Sequence, residues 1–97
     1  MELIEEKSGS WILLRDNDDY YLCVALYVTG AMWDVKFKLD DKEKQSFLNS
    51  GTVCIAQIDK KCNANRELYS TRQVDTEIVL KINKTIKEYR SQSQIET

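Results

Sequence analysis

Five groups of side chains in this 97-residue chain have types and spacings that chemistry could use. Asp16, Asp18 and Asp19 could ligate calcium through oxygen. The glycine and the bidentate glutamate of an EF-hand loop are missing, however, so a solvated turn is the stronger reading. Asp40, Asp41 and Glu43 look like the paired carboxylates of an acid–base catalyst. Yet Asp40 and Glu43 have the spacing of a helix capping box, and Asp41 adds negative charge where a helix dipole favours it, which accounts for all three. Cys23, Cys54 and Cys62 are an odd number without a CxxC pair; they lie in apolar runs and read as reduced core thiols. Lys81, Lys84 and Lys87 make a basic strip, but Glu77 and Glu88 interrupt it as on an ordinary solvated face. Tyr69 and Arg72 either pack and cap a neighbouring helix or recognise a partner, with packing slightly favoured. Histidine is absent, which removes the commonest general base and transition-metal ligand. No catalytic residue, metal ion or cofactor is expected, and the chain does not read as an enzyme.

These groups must be held by elements that the hydrophobic pattern can specify. Trp11-Ile12-Leu13-Leu14 is a compact apolar run suited to a strand, and it ends in Asp16-Asn17-Asp18-Asp19, whose side chains can bond to their own backbone in a turn. Tyr20 to Val28 is rich in aromatic and branched residues, and the next run alternates with Trp33, Val35, Phe37 and Leu39 on one face. A two-residue turn at Thr29-Gly30 places Leu26 opposite Trp33, Val24 opposite Val35 and Leu22 opposite Phe37. Turn length and alternation thus agree on one hairpin register. The other face then carries Tyr21, Cys23, Ala25 and Tyr27 beside Lys38, Lys36, Asp34 and Met32, joined by either Ile12 and Leu14 or Trp11 and Leu13. A terminus, a further strand or a second copy of the chain covering this mixed surface is the plainer reading. A protein contact through Tyr21, Tyr27 and the neighbouring charges is the sharper one.

At Asp40 the period changes from two to about three and a half. Phe47, Gly51, Cys54, Ile55, Ile58 and Cys62 keep the spacing of one helix face, so helix is predicted on both sides of Gly51. The branched run Thr52-Val53-Cys54-Ile55 leaves a strand over 52–58 open as the alternative. Gly51 either ends a first helix or lies inside a longer one, where its missing side chain would let the helix approach the sheet. Lys60 to Arg66 reads as a helix end, with Asn63 or Asn65 able to take a left-handed conformation, and Glu67 to Arg72 as a short connector. From about Asp75 to Arg90, Ile78, Val79, Ile82, Ile86 and Tyr89 follow helical spacing, against a competing strand-like alternation of Val74, Thr76, Ile78, Leu80 and Ile82. Residues 91–97 read as a polar, frayed tail. The expectation is a single α+β domain over residues 1–97: an N-terminal three-stranded antiparallel meander with one face packed by a long or broken helix and a C-terminal helix.

Composition narrows the partners. Apolar content of 42% and charged content of 31% are those of an ordinary soluble domain with one core. A net charge of −2 argues against nucleic acid as a partner, since such binders draw on a surplus of Lys and Arg. Residues 1–48 hold ten acids and six bases, residues 49–97 six acids and eight bases, a gradient from −4 to +2. That asymmetry favours an N-terminal surface that meets something basic. The longest apolar run, Tyr20 to Val28, is too short to span a bilayer as a helix, and the acidic start Met1-Glu2-Leu3-Ile4-Glu5-Glu6 is unlike a secretion signal. No membrane partner is expected, and the expected home is the cytoplasm.

The order Tyr20-Tyr21-Leu22, Leu39-x-x-x-Glu43, Gly51, Ile55-x-x-Ile58-x-x-x-Cys62, Tyr69-x-x-Arg72 and a closing amphipathic helix resembles a family of small bacterial immunity proteins. These belong to toxin and immunity loci, including those of contact-dependent growth inhibition, and the resemblance covers residues 11–90 in layout. It implies a protein that binds one cognate toxin, a nuclease among the candidates, and blocks it without chemistry of its own. Many such toxins carry basic clefts, which acidic residues of the N-terminal half could steer towards and occupy. The expected contact residues are Asp16, Asp18, Asp19, Tyr21, Tyr27, Asp34, Tyr69 and Arg72. A structural or regulatory subunit that homodimerises through the mixed sheet face is the alternative.

Overall fold

The computed structural model describes residues 1–28 and 31–95, with the side chains of 27, 28, 31, 32 and 93–95 outside that description. Strands β1 (Glu2–Lys7), β2 (Trp11–Asp16), β3 (Asp19–Val28) and β4 (Ala31–Lys38) form one antiparallel sheet in the order β1-β2-β3-β4. Helices α1 (Asp41–Ser50), α2 (Thr52–Ala64), α3 (Arg66–Ser70) and α4 (Thr76–Ile95) follow. The α+β class is as expected, but the meander has four strands, not three. The extra strand, β1, lacks regular alternation and pairs with β2 through a bulge at Ile4, between Leu3↔Leu14 and Glu5↔Leu13.

The β3–β4 register is the expected one, Leu22↔Phe37, Val24↔Val35 and Leu26↔Trp33. The Thr29-Gly30 turn lies outside the described residues. Asp16↔Asp19 closes the β2–β3 hairpin, and Asn17 takes the left-handed conformation (φ 58°) that a two-residue turn asks for. Alternation then places Trp11, Leu13, Leu22, Val24, Leu26, Val35 and Phe37 on an inner face, where Cys54, Ile55, Ile58 and Cys62 of α2 and Tyr69 of α3 cover them.

Helix α1 starts with the predicted capping box. The Glu43 amide donates to Asp40 Oδ1 (2.8 Å) and the Asp40 amide donates to Glu43 Oε1 (2.9 Å). The long-or-broken choice resolves as broken, because Gly51 adopts φ 68°, ψ −142°, a region open to glycine. A Cβ at Gly51 would meet nothing within 4 Å, so the glycine serves the backbone turn and not a close approach to the sheet. Residues 52–58 are helix, since Cys54, Ile55, Ile58 and Cys62 form the buried face of α2 and a strand would split them. Asn65 ends α2 with φ −133° and is not left-handed, and the connector expected over Glu67 to Arg72 holds most of α3.

The C-terminal helix departs from the expectation of one packed face, because α4 crosses the opposite, outer face. Asp75 starts it by accepting from the Ile78 amide (3.0 Å). Ile82 is fully buried against Leu14 and Tyr21, with Met1, Ile12, Val74, Ile78 and Ile86 around it. Ile12 and Leu14 are therefore the outer pair of β2, and Trp11 and Leu13 the inner pair. The start of α4 is tied to β4: the Val74 amide donates to Lys36 O and the Lys36 amide to Gln73 Oε1, both at 2.9 Å. Further along, Arg90 lies 3.6 Å from Glu6 on β1, so the helix runs from one edge of the sheet to the other. It continues past Arg90 to Ile95, where a frayed tail was expected. No described helix is long and apolar enough to cross a membrane.

Candidate functional site

A single helix laid from β4 to β1 cannot cover a four-stranded face, and the part of that face formed by the ends of β2 to β4 stays open. There the sheet and the α4 flank enclose a groove of about 390 Å³, whose lining includes Glu6, Lys7, Ser10, Ile12, Cys23, Ala25, Trp33, Asp34 and Arg90. The floor is low because Ser10, Cys23 and Ala25 are small, and Ile12 and Ala25 are half-buried.

The pairing Cys23↔Lys36 and Ala25↔Asp34 brings three polar groups together on this face. The Cys23 thiol donates to Asp34 Oδ2 (3.1 Å), and the Lys36 ammonium pairs with the same oxygen. The Lys36 side chain is 11% exposed and that of Asp34 47%, so a nearly buried cation is held by a carboxylate that still meets solvent. Burial pushes the Asp34 carboxyl up, but the hydrogen bonds from Lys36 and Cys23 outweigh it and hold the group below the usual carboxylate range. Burial, reinforced by the Asp34 contact, pushes the Cys23 thiol up to about 12. At neutral pH Cys23 is thus a protonated hydrogen-bond donor and not a thiolate nucleophile.

The expected contact residues separate. Asp34 lies in the groove. Asp16 sits elsewhere, 3.8 Å from both the Met1 amine and Lys81 Nζ, and so links the β2–β3 hairpin to α4. Asp19 pairs with Lys38 (3.3 Å), and Asp18 is exposed at the hairpin tip. Tyr21 is 6% exposed beneath α4, so it is a core residue and not a contact surface. The side chain of Tyr27 lies outside the described residues.

Tyr69 and Arg72 are on the far side of the sheet, and their packing role is the one realised. Arg72 Nη1 and Nη2 donate to Glu43 Oε2 and Oε1 (3.1 and 2.6 Å), and Nη2 also donates to Lys38 O (2.9 Å). Its guanidinium carbon lies 4.6 Å from the centre of the Phe37 ring and 5.4 Å from that of Tyr69. One side chain thereby joins the α1 capping box, the end of β4 and α3. The hydrogen bond to Glu43 raises the Arg72 pKa further, and burial raises that of Tyr69. Burial also pushes Cys62 up to about 12 and raises Cys54, as expected for core thiols.

Glu6, Arg90 and the Cys23–Lys36 neighbourhood were not expected at a site. The hairpin register alone places Cys23 beside Lys36, so that part was within reach of the sequence; Glu6 and Arg90 meet only through the path of α4. Among the described residues, no group of three or more His, Cys, Asp or Glu side chains could hold a metal ion. Comparison of the chain with protein-family models, curated proteins and solved structures returned no match.

Proposed function

We propose that this chain is an immunity protein that acts in the cytoplasm by binding a basic bacterial toxin, a nuclease among the candidates, and neutralises it by occlusion without chemistry of its own. The observation that carries the reading is the open corner of the outer sheet face, a concave surface with an apolar floor and a fixed carboxylate at its rim. Such a surface suits recognition of a protein segment. Charge supports the same partner. Glu2, Glu6, Asp16, Asp19, Asp34 and Glu43 each have a cation within 4 Å, so the attraction at a distance rests on the −4 balance of residues 1–48 and not on a row of free acids.

The test is a pull-down with the C-terminal fragment of the neighbouring gene product, followed by association rates over a range of salt. Binding whose rate falls with salt is expected. Absence of binding sinks the immunity reading, and a salt-independent rate removes the steering component. Half-buried Ile12 and Ala25 in the same corner favour one second reading, self-association through this face. Light scattering of the purified chain separates a stable dimer from a monomer.

A further inference from the structure

We infer that the groove beside α4 seats a cationic side chain, arginine above all, carried by an extended segment of the protein partner. The inference rests on the protein-binding reading above and names what that surface grips. Three observations carry it. First, the groove of about 390 Å³ lies at the lower end of the ~300–1,000 Å³ that small ligands occupy, and the apolar parts of Ile12 and Ala25 suit the methylene stem of a long basic side chain.

Second, its polar rim carries two carboxylates. Glu6 stands on the β1 side and Asp34 on the β4 side, and both contacts that Asp34 receives from Cys23 and Lys36 converge on Oδ2. Lys7 also lines the groove, but it pairs with the inner-face residue Trp11 in the sheet register and its charge acts on Asp59 of α2. An anionic ligand would meet Glu6 and Asp34, whereas a guanidinium finds an acceptor on either side.

Third, the chain already places a guanidinium at this groove. Arg90 lies 3.6 Å from Glu6 with 61% of its side chain exposed, the loose geometry of an exchangeable counter-ion. A partner's arginine would compete with Arg90 for Glu6 and reach Asp34 beyond it. Arg90 therefore opposes binding, the reverse of what its place on the rim would suggest.

The probe is a capped Gly-Ser-Arg-Ser-Gly peptide, compared with the same peptide carrying neutral citrulline, titrated into the isotope-labelled full chain and followed by amide NMR shifts. The arginine peptide is expected to shift Glu6, Ala25 and Asp34, and the citrulline peptide to bind several-fold more weakly. Glu6→Gln should weaken the arginine peptide about fivefold, the loss of one exposed charge contact. Arg90→Ala should tighten it by a similar factor, and Asp18→Asn on the distant hairpin should leave it unchanged. Glu6→Gln and Arg90→Ala change exposed or half-exposed side chains, and their thermal midpoints confirm folding before titration. Equal binding of the citrulline peptide, unchanged or weaker binding by Arg90→Ala, or a loss in Asp18→Asn equal to that in Glu6→Gln overturns the inference. If the toxin fragment still binds both groove variants with unaltered affinity, the anchor site is overturned while the protein-binding reading stands.

Discussion

The two faces of the sheet are closed to different degrees. The inner face is covered by α2 and α3, and its rim is locked where Arg72 grips Glu43, Lys38 O and the Phe37 ring together. The outer face is covered by α4, whose buried contact narrows to Ile82 with half-buried neighbours and whose far half meets β1 through the loose Glu6–Arg90 ion pair. Among the described residues, fourteen buried residues make the inner cluster and three the outer, so the inner side carries most of the folding free energy. A face that contributes little to stability can leave surface open for a partner.

Substitutions on the two faces should separate their contributions to stability. Phe37→Ala, which empties the centre of the inner face, should cost about 3–5 kcal/mol in urea unfolding. A loss below that of Ile86→Ala on the outer face would reverse the ranking. Arg72→Ala should cost about 2 kcal/mol, because it strands a Glu43 carboxylate that is 14% exposed, and Arg72→Lys should restore only part of it. Arg90→Ala, the corresponding cut on the outer face, should change stability by less than about 1 kcal/mol.

Gly51→Ala should cost about 1–2 kcal/mol through the backbone alone, since its positive φ resists a side chain although nothing lies within 4 Å. A thermal midpoint equal to the parent's would show that the α1–α2 junction re-forms without that turn. The smallest expected effect is a pH dependence at Asp34. Its folded pKa is lowered, so the stability it contributes is present above the unfolded carboxylate value of about 3.9 and is lost as pH falls through the folded value. The urea midpoints of the parent and Asp34→Asn should therefore draw together on acidification below about pH 4. A gap that stays constant would remove the electrostatic account of the Cys23–Asp34–Lys36 cluster.

The sequence reveals these elements where two local signals agree. Trp33, Val35 and Phe37 alternate, and the chain length between the strands fixes their partners, so the β3–β4 register is legible without coordinates. Asp40 and Glu43 declare the start of α1 because capping chemistry is local. Glu2-Leu3-Ile4-Glu5-Glu6-Lys7 hides its strand because the bulge at Ile4 breaks the period that would reveal it. Helix α3, five residues long, is too short to show a period. Ile78, Ile82 and Ile86 declare a helix but not which face receives it, since any apolar surface satisfies them. Hence the groove, which exists only because α4 lies across the outer face, is the least legible part of the molecule.

The knot at Gln73 and Val74 has a consequence for storage and handling. By bonding to both backbone groups of Lys36, while Arg72 takes Lys38 O, this segment occupies the outer edge of β4 where another chain's strand would otherwise add. Opening the start of α4 would free that edge and expose Leu14 and Tyr21 on the outer face in the same event. Aggregation on prolonged warming should therefore follow the detachment of this one short segment, well before the inner core melts.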